Sequence, residues 1–206
     1  MFIAILEHLF YSIETLGIFS FALSGVILAK KKDYDIVGVY VVAWVTAFGG
    51  GILRDLMLDN HPLYWISHSE YPLILLLLVL FLSIFKRFNV HEKWLHIPDA
   101  LGLATFAVTT AQTAYLAGYP FIIVGILATV VGTFGGLLRD VLCQEVPYIF
   151  KKNTTMYASI AFLGACFFVF LSSFTELAQF FTMSISIAFI FFFRIIAKKF
   201  HLVLRL

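Results

Sequence analysis

Apolar runs of roughly 20 residues, the length a helix needs to cross a hydrocarbon core, follow one another along the chain with short polar connections between them. The pattern predicts seven helices, at about residues 10–29, 36–58, 72–90, 95–116, 120–143, 155–173 and 178–197. Alternate connections differ in charge. Lys30, Lys31 and Lys32 fall in the first, Lys86, Arg87 and Lys93 in the third, Lys151 and Lys152 in the fifth, and Arg194, Lys198, Lys199 and Arg205 at the C-terminal end. The intervening connections, "DNHPLYWISHSEYP", "LAGYP" and "SSFTE", hold no lysine or arginine. Twelve of the 14 basic residues therefore gather on one side, which the positive-inside rule places in the cytoplasm. The N-terminus is then expected outside and the C-terminus inside, which requires an odd number of spans.

Composition agrees with a polytopic membrane protein. Of the 206 residues, 62% are hydrophobic and 13% charged, against about half and a quarter in soluble domains. "MFIAILEHLFYSIE" lacks a basic n-region and reads as the lead into a first span rather than a removable signal. Cys143 and Cys166 read as free thiols in or beside apolar spans. The histidines show no ligand spacing, and no nucleotide loop or nucleophile elbow is present. No metal, cofactor or nucleic acid is expected. His61 and His68, on an outer connection, are candidate pH-sensing groups, although exposed loop histidines are commoner without that role.

The two remaining basic residues, Arg54 and Arg139, each follow a glycine cluster. A shift of 85 positions lays "GGILRD" (Gly50 to Asp55) on "GGLLRD" (Gly135 to Asp140), and from Glu14 to Pro62 the halves align without a gap at 15 identities in 49 positions. Each unit holds three predicted helices, so the second enters the membrane from the opposite side. The expected architecture is all-α: two inverted three-helix repeats in one transmembrane domain (about 10–90 and 95–173), and a seventh helix at about 178–197 without a counterpart. Inverted repeats build many transport proteins, with the substrate path near the midplane between the halves.

Glycine weakens a helix by roughly 1 kcal/mol relative to alanine, and an ionisable side chain at bilayer depth costs about 2.5 kcal/mol on insertion scales. Gly49, Gly50 and Gly51 in the second helix, and Gly135 and Gly136 in the fifth, therefore call for a reason. One reading is that the helices break there and offer carbonyl oxygens to a cation along a path. The other is close helix packing, which small residues permit; both can hold together. Arg54 and Asp55 are adjacent, as are Arg139 and Asp140, so on a regular helix neither pair faces itself and each residue needs a partner elsewhere. Matching depth from the helix ends predicts Glu14–Arg54 and Asp99–Arg139 as neighbours, one pair near each end of the path.

Glu14, Gly17, Phe21 and Ser24 form one stripe of the first helix, with Ser20 beside it. Asp99, Gly102, Phe106 and Thr109 repeat it on the fourth, with Thr105 beside it. Ser20, Ser24, Thr105 and Thr109 are thus candidates either for lining a path or for contact between helices. Pro62 and Pro147, with Tyr64 and Trp65, read as helix exits and interfacial anchors.

The paired "GGGILRD" and "GGLLRD" motifs, the seven spans and the small size resemble the prokaryotic branch of the trimeric intracellular cation (TRIC) channels over essentially the whole chain. That resemblance implies a homotrimer in a prokaryotic inner membrane, with a pore in each subunit that conducts monovalent cations, chiefly potassium. It also implies pore-lining kinks at Gly49, Gly50 and Gly51 and at Gly135 and Gly136; Phe134 stands where the first cluster has Gly49, so the second break is expected to be milder. Relatives have also been labelled transporters of small amino acids such as glycine. A passive cation channel is the leading expectation and a glycine transporter the alternative. A scaffold would leave the matched buried charges without a purpose. An enzyme is not expected, since each intramembrane acid has an arginine nearby and no nucleophile or metal cluster.

Overall fold

The computed structural model describes residues 2–84, 94–151 and 155–203. Among them stand eight α-helices: α1 Phe2–Lys31, α2 Ile36–Met57, α3 Tyr64–Ser67, α4 Glu70–Ile84, α5 His96–Leu116, α6 Phe121–Leu142, α7 Ala158–Phe174 and α8 Gln179–Lys199. A 3-10 turn covers Tyr148–Phe150, and the described residues contain no strand beyond an isolated bridge between Thr155 and Val203. Helices lie on all seven predicted segments. The first begins earlier than expected, and α3 is an extra turn inside the connection after α2. Lys86, Arg87, Lys93, Lys152, Arg205 and the predicted end of the third helix lie outside the described residues.

Residues 10–31 of α1, together with α2, α6 and α8, are long and apolar enough to cross a membrane; α4 and α7 are apolar but shorter. α5 is rich in threonine and alanine, and its position explains why it need not be oily. It packs on α1, α6, α7 and α8, and 15 of its 21 residues are buried. Large exposed side chains instead cover the outside, among them Val41, Leu77, Ile126, Leu163, Phe181 and Phe192. A protein whose solvent is lipid keeps its apolar residues outside as well as inside, and reserves polar ones for the bundle interior.

At the centre α1 packs on α2 and α5, and α6 packs on α5 and α2. The α2–α6 crossing depends on glycine. A Cβ on Gly50 would stand 2.8 Å from the Val131 carbonyl oxygen, and one on Gly135 2.5 Å from that of Thr46. Neither backbone oxygen can swing aside. This revises one expectation: α2 and α6 remain α-helical through Gly49, Gly50, Gly51, Gly135 and Gly136, so the clusters do not unwind the helices or free their carbonyls. Close approach, rather than helix breaking, accounts for Gly50 and Gly135.

The ends of the bundle differ. Tyr11 near the start of the apolar span of α1, Asp55 near the end of α2, Leu116 at the end of α5 and Gln179 at the start of α8 line one cavity. At the other end Lys32 pairs with Glu145 at 2.8 Å, Tyr34 donates to the Leu142 carbonyl, and the Met156 amide donates to the Leu202 carbonyl.

Candidate functional site

Each half of the chain places an arginine near the C-terminal end of a glycine-bearing helix and closes carboxylates around it. In the first cage Arg54 is 4% exposed and Glu14 2%. Arg54 Nη1 donates to Glu14 Oε1 at 2.6 Å, while its Nε and Nη2 reach Asp55 Oδ1 at 2.9 and 2.8 Å. In the second, Arg139 Nη1 donates to Asp99 Oδ1 at 2.8 Å and to Ser24 Oγ at 3.0 Å. Its Nε and Nη2 hold Asp140 Oδ1 at 3.0 and 2.8 Å. The expected Glu14–Arg54 and Asp99–Arg139 neighbours are therefore in direct contact.

The expectation that Arg–Asp neighbours in sequence do not meet is corrected. Adjacent Cβ atoms do diverge on a helix, but the long arginine stem curls back and brings the guanidinium fork onto the next residue's carboxylate. The other oxygen of each aspartate bonds elsewhere. Asp55 Oδ2 accepts from the Tyr64 amide, and Asp140 Oδ2 from the Tyr148 amide, both at 2.9 Å. Each aspartate thus ties the segment after its helix back into the cage. Tyr64 is consequently part of the site, beyond the interfacial anchor its position suggested. His68, with Tyr11, Tyr64 and Tyr71 packed around its ring, is likewise no free loop residue.

Between the cages lie Phe21 and Phe106, which stack with ring centroids 5.5 Å apart and planes 12° from parallel. Both rings are buried. Each is seated on glycines of the other half: a Cβ on Gly17 would touch the Phe106 ring at 3.2 Å, and one on Gly135 the Phe21 ring at 3.1 Å. Gly51 faces Phe106 at an ordinary 3.5 Å, while Gly102 lies so close to Phe21 that no side chain fits. Gly49 faces Leu138, and Gly136 faces the Tyr157 hydroxyl and Asp99 of the second cage.

Two cavities adjoin the first cage. The larger, about 540 Å³, is an open vestibule that reaches Arg54 and Asp55 past Tyr11, Asn60, His68 and Gln112. The smaller, about 10 Å³, is lined by Glu14, Gly51, Asp55, Trp65 and Phe106 among others; a cavity of that size holds about one water-sized particle. Ser20, Thr105 and Thr109 line neither cavity and return their hydroxyls to their own helices, at the carbonyls of Leu16, Leu101 and Phe106. Of the four hydroxyl candidates only Ser24 joins a cage.

A further residue was hidden in the charge pattern. Arg194 counts among the basic residues of the C-terminal end, yet it is 3% exposed and belongs to the second cage. Its Nη1 donates to the Met156 carbonyl at 2.7 Å, its Nη2 lies 3.9 Å from Asp99 Oδ2, and its guanidinium carbon lies 4.4 Å from the Tyr157 ring centroid. Thr182, Ser186, Ile190 and Arg194, spaced by four on α8, are all buried, and that stripe is the signal which marks the arginine.

Comparison with known proteins places this arrangement. A family model described as Glycine transporter matches residues 11–87 and 96–173, one segment in each half of the chain. The UPF0126 membrane protein YvgT of Bacillus subtilis is 36% identical over 154 residues, 74% of this chain and 75% of that protein. The UPF0126 inner membrane protein YadS of Escherichia coli (strain K12) is 34% identical over 158 residues, 76% of this chain and 75% of that one. Among solved structures, the TRIC trimeric intracellular cation channel orthologue from Rhodobacter sphaeroides superposes with a TM-score of 0.85 at 31% identity, covering 94% of this chain and 98% of its own. By this degree of likeness the chain belongs to the UPF0126 membrane proteins and to the prokaryotic TRIC channel family.

Proposed function

We propose that this protein is a cation channel that passes potassium, built as a homotrimer whose subunits each carry a path between α1, α2, α5 and α6. The observation that carries the reading is the vestibule of about 540 Å³ ending at the buried carboxylate–arginine cage of Glu14, Arg54 and Asp55. Beyond that cage the bundle centre holds the Phe21–Phe106 stack and then the second cage. Such a path is closed in this conformation, and opening it requires the two rings to part. The R. sphaeroides orthologue, named a trimeric cation channel, supports both the activity and the assembly. The glycines line this path by letting helices and rings approach, without offering backbone oxygens.

The reading includes seven spans in two inverted repeats, supported by the vestibule meeting the start of the apolar span of α1 but the end of α5. It also includes a cytoplasmic C-terminus, supported by Lys32 and Lys151 flanking Glu145 at the end away from the vestibule. Glycine transport, suggested by the family model's description, fits the cages less well. All three nitrogens of Arg54 and of Arg139 already face carboxylates, so a substrate carboxylate would have to compete with the cage for each guanidinium.

The test is current across a planar bilayer containing the purified protein under a potassium chloride gradient. Discrete steps reversing near the potassium potential are expected. A silent bilayer with saturable glycine uptake into liposomes from the same preparation overturns the channel reading.

A further inference from the structure

The two cages differ in one respect that bears on what they bind. In the first, two carboxylates face one guanidinium, for a formal charge of −1. In the second, Asp99 and Asp140 face Arg139 and Arg194, and the formal charges cancel. The balancing cation comes from α8, which lies outside both halves. Its position is informative. Arg194 Nη2 lies 3.9 Å from Asp99 Oδ2, and aromatic rings of Tyr157 and Tyr148 flank the guanidinium at 4.4 and 5.5 Å. The residue that matches Asp99 in the first cage is Glu14, whose Oε2 is buried without a hydrogen-bond partner among the described residues. Glu14 and Asp55 are the charged residues that line the cavity of about 10 Å³, whose other walls are apolar or aromatic, among them Ile18, Tyr64 and Phe106.

We infer that this cavity beside Glu14 is a binding site for one desolvated alkali cation, potassium or its like. Arg194 is the built-in counterpart of that ion in the second cage. Carboxylate charge favours a cation at such a position. A formal charge of −1 and one water-sized space suit a monovalent ion; a divalent ion would leave a buried excess of positive charge, and magnesium holds several waters that the space does not admit. The inference deepens the channel reading by placing the path's cation site on the vestibule side of the phenylalanine stack. It rests on that reading only for the route by which the ion arrives.

Binding is measurable without flux. Thermal unfolding of the purified full-length protein in detergent is followed as potassium chloride replaces choline chloride at constant ionic strength, since choline is too large for the cavity. The wild type is expected to show a saturable rise in Tm with potassium. Glu14→Gln is expected to weaken that affinity at least about tenfold, the loss of one charge-assisted contact. Arg194→Met, which exposes Asp99 to the same need, is expected to add a second saturable component. Identical unfolding in the two salts, wild-type affinity in Glu14→Gln, or no added component in Arg194→Met each overturns the inference. Should Glu14→Gln not fold, thallium(I) soaked into wild-type crystals decides: an anomalous peak between Glu14 and Phe106 supports the site, and peaks only elsewhere overturn it. A silent bilayer with intact potassium-dependent stabilisation would overturn the channel reading alone. Normal currents with no such stabilisation would overturn this inference alone.

Discussion

Phe21 and Phe106, 85 positions apart in the chain, stack in parallel at 5.5 Å between the two arginine cages. Each ring is buttressed by glycines of the opposite half, so the contact closes the bundle centre from both sides at once. Removing one ring leaves a void of benzene size beside its partner. Phe106→Ala is expected to raise potassium leak through liposomes carrying the protein. It should also cost about 3–5 kcal/mol of stability, as large-to-small core changes do. Flux unchanged from wild type in a folded variant would show that the stack does not close the path.

The glycines are not equivalent. At Gly50 an added methyl meets the Val131 carbonyl oxygen at 2.8 Å, whereas at Gly51 it meets only the Phe106 ring, at 3.5 Å. Gly50→Ala is therefore expected to destabilise by about 1–3 kcal/mol, the usual cost of overpacking. Gly51→Ala should be neutral or slightly stabilising, since alanine is the better helix former. Thermal melts of the two variants in one detergent make the comparison. Equal losses would mean that the α2–α6 crossing is not what demands glycine.

Arg139 joins α5, α6 and α1 through Asp99, Asp140 and Ser24. Arg139→Gln leaves buried carboxylates without their counter-charge and is expected to cost about 3–5 kcal/mol, enough to lower the folded yield sharply. Arg139→Lys is expected to recover little of it. An ammonium is a point charge and does not reproduce a planar fork that spans three partners. Yields after size-exclusion chromatography give the order wild type, Lys, Gln; a lysine variant equal to wild type would reduce the cage to simple charge balance.

At the opposite end, the hydrogen bond from Lys32 holds the Glu145 carboxyl below its ordinary value of 4.5. A depressed carboxylate stabilises the fold above that ordinary value, and its contribution is lost as pH falls through the lowered one. The bridge is partly exposed, so the effect is small and screened by salt. The Tm difference between wild type and Glu145→Gln should be present at neutral pH, shrink with added salt and disappear in acid. A difference that grows on acidification would contradict the pairing.

Much of the architecture is legible in the residue pattern. The helix positions follow from runs of apolar residues, because a helix in lipid must satisfy its own backbone and present apolar side chains. The Glu14–Arg54 and Asp99–Arg139 contacts follow from depth, because buried charges must find partners and few are available at each level. The state of α2 and α6 at their glycines does not follow, because glycine permits two outcomes, a broken helix and a close crossing. Which one holds at Gly50 depends on whether Val131 lies across from it. The curl of Arg54 onto Asp55 is equally hidden, because helix geometry governs Cβ directions and says little about a long, flexible side chain.

What the sequence alone determined is where the longer helices lie, the repeat of residues between the halves, and the pairing of acids with arginines within each half. These are matters of hydrophobic length, spacing and depth, all of which are local or nearly so. Only the tertiary structure decided that Phe21 sits on the glycines of the second half and Phe106 on those of the first, that Ser24 crosses to Arg139, and that Arg194 enters one cage and not the other. Those contacts join residues from different halves or from α8. Which distant side chains meet depends on how the helices cross, and crossing is set by packing among all of them together.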